Sequence, residues 1–130
     1  MITEPTPDSG FSQLERDALD ILLTGDDPVL DELRAQLPHI TGVVREFTGV
    51  GFWTDVHLDE STPLCSRPNF ELTDVAGSSP RIEHGFMVIL FVRDGVLSLL
   101  EGFTFVEPWP DDLGEYQLMT VSEFNSRLES

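Results

Sequence analysis

The sequence predicts an α+β fold: two N-terminal helices packed on a curled antiparallel sheet of about five to six strands, with a short C-terminal helix. Three observations predict it. Before Pro38 apolar residues recur at helical spacing, and after it they tend to recur at every second position. Asp94-Gly95 lies between two long apolar runs, the strongest short-range signal for a hairpin. Helices come first, then strands, then a helix, without the alternation that marks βαβ units. At 130 residues the chain has the length of one domain that buries a core without metals or disulfides. Residues 11–130 are assigned to that domain. Residues 1–10, with two prolines and a glycine, are assigned to a flexible arm.

The first helix is announced by "SQLE", Ser12 to Glu15, a capping box in which Ser12 accepts from the backbone and Glu15 reaches back. Phe11, Leu14, Ala18 and Leu22 share one face, Leu19 and Leu23 widen it, and Gly25 stops it. Asp27 caps the second helix and Pro28 suits its first position. Leu30, Leu33 and Leu37 form its stripe, and Pro38 ends it.

Strands follow. Val50, Phe52, Val56 and Leu58 alternate with Gly51, Trp53, Asp55 and His57, so one face is apolar and the other mostly polar. A turn near Thr48–Val50 makes a hairpin with the run before it. "DESTPLCSRPN" is a surface loop, "FELTDVAG" has room for one short strand, and "SSPR" is a second loop. Phe86 to Val92 is apolar throughout, as expected of a central strand buried on both faces. Val96 to Val106 is the outgoing strand, ended by the prolines of "EPWPDD". "YQLMT" is a last short strand. "TVSE", Thr120 to Glu123, is another capping box, opening a helix with Val121, Phe124 and Leu128 on one face. Helices cover one face of the central strand; its other face needs a curled sheet, loops or a partner subunit, so a homo-oligomer is one option.

Charge bounds the function. Twenty-four Asp and Glu face seven basic residues, all Arg, for a net charge of −17. Such a field repels nucleic-acid phosphates and anionic membranes and draws in a basic protein. No apolar run approaches the ~20 residues of a membrane span. The first ten residues lack a basic n-region and an apolar h-region, and the single Cys65 excludes an internal disulfide. A cytoplasmic location is the expectation.

Few residues suggest chemistry. Glu101 stands out because period two places it with Leu97, Leu99, Phe103 and Phe105 on an otherwise apolar face. Its expected role is a mostly buried hydrogen-bond acceptor, tied to backbone amides or an Arg. A catalytic or ligand-binding role and exposure at an edge are the alternatives. Asp55, His57 and Asp59 project from one strand face, but a metal needs a further ligand, and the reading is a polar solvent face. Cys65, in a Pro-rich loop without a histidine partner, reads as unreactive. No phosphate loop, nucleophile elbow or CxxC occurs, and no cofactor, metal site or catalytic residue is assigned. Trp109, rigid between two prolines, is either a cap on the core or a binding anchor. The candidate partner surface is Trp53, Asp55, His57 and Trp109.

The run "GFMVILFVRDGVLSLLEGFTFVEPWP" resembles a pattern of small single-domain bacterial proteins of uncharacterised function. It is carried by Gly85, Leu90, Phe91, Asp94, Gly95, Leu100, Glu101, Gly102, Phe103, Phe105, Trp109 and Pro110. "TGVGFW" upstream extends the resemblance over roughly the C-terminal two-thirds. It implies a fold and no catalysis. Small acidic proteins of this kind also resemble immunity partners of secreted toxins. The expected function is therefore a non-enzymatic protein-binding module with a basic partner. The alternative is a small-molecule binder or weak enzyme that uses Glu101 and a histidine in a pocket.

Overall fold

A computed structural model of the protein describes residues 10–129, so the N-terminal arm, apart from Gly10, lies outside the described residues. Helix α1 spans Gln13–Leu22 and α2 Pro28–Arg34, followed by a 3-10 turn at Leu37–His39. Six strands follow: β1 Ile40–Phe47, β2 Gly51–Leu58, β3 Phe70–Ser79, β4 Ile82–Arg93, β5 Val96–Thr104 and β6 Gln117–Met119; helix α3 is Val121–Glu129. All pairings are antiparallel in the order β1-β2-β5-β4-β3-β6. The sheet is not strongly curled, in contrast to the expectation. Its outer strands β1 and β6 stand at opposite ends of the order and do not pair, so nothing closes it.

Both capping boxes form. Ser12 Oγ accepts from Glu15 N at 3.2 Å and Glu15 returns a carboxylate oxygen to Ser12 N at 2.8 Å. Thr120 and Glu123 repeat the arrangement at α3. Asp27 caps α2, which ends at Arg34; Pro38 falls inside the 3-10 turn rather than at the helix end. The Asp94-Gly95 turn has positive φ at both residues, 54° and 81°, which a two-residue hairpin of this hand requires. "FELTDVAG" belongs to a ten-residue strand, longer than expected. An extra residue between Leu72 and Val75 bulges out, so pairing resumes beyond the polar Thr73 and Asp74.

Helix α1 lies over β3 and β4 on one face of the sheet, here the inner face. Leu14, Ala18, Leu19 and Leu22 bury against Val75, Phe86, Val88, Leu90, Val92, Leu97 and Leu100. Helix α2 enters the same core through Leu33. Two glycines shape this core. Phe52 pairs with Gly102 and Phe86 with Gly77, and each ring lies where the glycine's Cβ would be. Trp109 stands edge-on to both rings, 5.4 Å from Phe52 and 5.3 Å from Phe86. It is half-buried and closes the end of the core, with its remaining surface lining a cleft beside Phe47 and Gly49.

The single tyrosine joins the C-terminal segment to α1. Tyr116 Oη donates to Asp17 Oδ2 at 2.7 Å. Burial first, and then the Asp17 hydrogen bond and charge, push the phenol up to about 12. A raised phenol contributes stability below its unfolded value of ~10. That contribution fades as pH rises towards 12. The expected ultraviolet titration has its phenolate midpoint near 12 in the folded protein, with a lower midpoint for Asp17→Asn. A wild-type midpoint near that of a free phenol would contradict this contact.

Candidate interaction surface

The sheet has a second face, and a bulge in β5 decides which of that strand's residues lie on it. Phe91 pairs with Leu99 but Val92 with Leu97, so Ser98 is an extra residue in β5. Leu97 therefore points inward and is buried, while Leu99, Glu101 and Phe103 point outward. This corrects the expectation for Glu101. It is half-buried on the outer face rather than turned into the core, and its bond comes from a side chain rather than from backbone amides or an Arg: Trp53 Nε1 donates to Glu101 Oε2 at 3.1 Å.

Cross-strand register sets out the outer face in rows. One row runs Gly51, Phe103, Met87, Ala76, Met119. The next runs Glu46, Trp53, Glu101, Ile89. The third runs Val44, Asp55, Leu99, Phe91, Glu71. Helix α3 packs along β3, with Phe124 seated against Gly85, so Ala76 and Met119 are buried at that end. Towards β1 no helix among the described residues covers the rows. Met87, Ile89, Phe91, Leu99 and Phe103 are half-buried; Trp53 and Phe105 are each 46% exposed and Val44 53%. Exposed apolar side chains scattered singly need no explanation, but these are contiguous across β2, β5 and β4.

Four carboxylates, Glu46, Asp55, Glu71 and Glu101, are interleaved with this apolar set. Glu71 pairs with Arg93 at 2.7 Å, and the Arg93 guanidinium also lies 5.3 Å from the Phe91 ring centre. His57 lies on the same exposed face of β2 as Trp53 and Asp55. Asp59 does not join them. Beyond the end of β2 it accepts from Ser61 N at 3.0 Å and Ser61 Oγ at 2.8 Å, and it sits 3.0 Å from His39 Nδ1. The Ser61 hydroxyl, and then His39, hold its carboxyl below the usual range.

The Ser61–His39–Asp59 group is not a hydrolytic triad. Both Ser61 and Asp59 approach the same imidazole nitrogen, Nδ1, and the serine hydroxyl donates to the aspartate. Glu107 accepts from Glu83 N at 2.6 Å and His84 N at 3.0 Å, which holds its carboxyl low and fixes the start of β4. Cys65 is buried; desolvation, with Glu32 beside it, pushes the thiol up. Among the described residues no three His, Cys, Asp or Glu side chains converge as metal ligands would. None of the three main clefts among them is lined by Glu101 or His57.

Three polar side chains, Glu15, Gln36 and Thr54, are fully buried. Glu15 accepts from Arg45 Nε at 3.0 Å and also from Arg45 Nη2 and Thr54 Oγ1. Gln36 donates to Pro63 O and Gly95 O and accepts from Leu97 N at 2.9 Å, clamping the Asp94-Gly95 turn. The capping box gave a signal for Glu15, but only for its bond to Ser12. No helix among the described residues is long and apolar enough to cross a membrane. Comparisons with protein-family models, curated proteins and solved structures find no match.

Proposed function

We propose that the chain is a non-enzymatic, acidic protein-binding module that docks a basic protein on the outer face of its sheet. The supporting observation is the uncovered apolar set around Trp53, Leu99 and Phe103, interleaved with Glu46, Asp55, Glu71 and Glu101. The apolar part supplies affinity and the carboxylates select the sign of the partner. A second copy of the chain is a poor fit, because it would bring net charges of −17 together across this face. A basic secreted toxin, with this chain as its immunity partner, is the specific form of the proposal. A gene for such a toxin beside that of this chain would supply the candidate.

The test is capture from an extract of the source organism on immobilised wild-type chain and on Trp53→Ser, followed by calorimetry with the purified ligand. The expected ligand is basic, and Trp53→Ser weakens it by at least about 2 kcal/mol, about 30-fold. Raising the salt to 1 M, where the field reaches only ~3 Å instead of ~8 Å, weakens binding further. Equal affinity at both salt concentrations, or equal binding by both chains, would defeat the proposal. A pocket that uses Glu101 and a histidine has less support, since His84 lines a cleft that Glu101 does not share.

A further inference from the structure

We infer that Trp53, between Glu46 and Glu101, is a socket for an arginine side chain of the bound protein; this rests on the reading of the outer face as a docking surface. The chain carries a filled version of the same arrangement on the same face. Arg93 lies against Phe91 and pairs with Glu71, the cross-strand neighbour of Phe91, so an aromatic ring, a carboxylate and a guanidinium form one unit. At Trp53 the aromatic ring and carboxylates are present without the cation. Glu46 and Glu101 are its cross-strand neighbours on either side, and no arginine lies over its indole among the described residues.

The geometry favours arginine. Cross-strand neighbours stand with Cβ atoms about 5 Å apart, within reach of one planar guanidinium. Laid on the indole, that plane keeps its N–H edges free to donate to Glu46 on one side and Glu101 on the other. Lysine brings a compact ammonium that cannot stack and donate both ways at once. The indole N–H donating to Glu101 holds the indole beside that carboxylate. Trp is also the aromatic ring that attracts a cation most strongly. The remaining arginines are engaged elsewhere or lie on other elements: Arg45 holds Glu15 on the inner face, and Arg16 belongs to α1.

The probe is an acetylated, amidated Gly-Arg-Gly peptide, with Gly-Lys-Gly of equal charge as comparison, titrated into the full chain. The readout is the Trp53 indole N–H resonance, assigned with Trp53→Phe; the Trp109 indole is the internal control. The expected result is movement of the Trp53 signal with a midpoint about fivefold lower for the arginine peptide, the factor that about 1 kcal/mol supplies. The Trp109 signal stays in place. In the Glu46→Gln, Glu101→Gln variant, whose changes lie on an open face, the preference for arginine is lost. Equal midpoints for the two peptides, or an unchanged preference in the double variant, would overturn the socket while leaving salt-sensitive capture of a basic protein intact. Concentration-dependent dimerisation in sedimentation equilibrium, abolished by Trp53→Ser, would overturn it as well, since a second copy would then occupy the face.

Discussion

Glu15→Ala is expected to destabilise the fold by about 3–5 kcal/mol, the cost of removing one partner from a buried ion pair. The Glu15 side chain is fully buried and Arg45 is largely so, with 25% of its side chain exposed. Truncation leaves the Arg45 guanidinium, the Thr54 hydroxyl and the Ser12 N–H without their acceptor. Arg45 also donates to Gly10 O at 2.8 Å, so the loss would loosen the entry to α1 from β1. Glu15→Gln keeps one acceptor oxygen, enough for one of the two donor pairs that the carboxylate serves, and is expected to lose less than Glu15→Ala. Replacing both charges by apolar groups of similar size, Glu15→Leu with Arg45→Met, is expected to recover most of the loss, because the cost is that of a stranded charge. Urea melts of the four proteins decide it. A Glu15→Ala melt within about 1 kcal/mol of wild type, well short of the range for a broken buried pair, would show that water reaches this site.

That carboxylate also shows how far the sequence could be read. Its reach to Ser12 follows from spacing within four residues, and the capping box was legible. Its reach to Arg45 and Thr54 depends on how the start of α1 is placed beside β1 and β2, thirty and more residues away, and no local pattern encodes that placement. Glu101 shows the converse. Period two correctly grouped it with Leu99 and Phe103, but the bulge at Ser98 placed Leu97 on the opposite face. Ser98 has leucines on both sides, so the apolar run continues through the bulge without a mark. The unbroken apolar character of Phe86–Val92 located the central strand. It also suggested cover on both faces, and the structure leaves Met87, Ile89 and Phe91 only half-buried. Strand parity alone grouped Trp53 with Asp55 and His57 on one face of β2, and left open whether a helix covers that face. Their joining to Glu101, Leu99 and Phe103 required the pairing of β2 with β5, strands about forty residues apart in sequence.

Phe86→Ala is expected to cost about 3–5 kcal/mol, as a large cavity under an aromatic ring does. The side chain is fully buried at the meeting point of β4, β3 and Trp109. The more informative experiment pairs it with Gly77. An Ala at Gly77 would drive its methyl into the Phe86 ring from the neighbouring strand, so Gly77→Ala alone is expected to cost about 1–3 kcal/mol by overpacking. Phe86→Leu alone opens a smaller cavity at the same place. In the double variant the new methyl occupies space that the ring has left, so the combined loss should fall short of the sum by about 1 kcal/mol or more. Equilibrium urea melts with a shared m-value measure the cycle. Strict additivity would mean that Phe86 and Gly77 do not share this space. Trp109 adds a spectroscopic check: its edge contact with Phe86 should be lost in Phe86→Leu and change its near-ultraviolet circular dichroism, while Gly77→Ala moves it only if the ring itself is displaced.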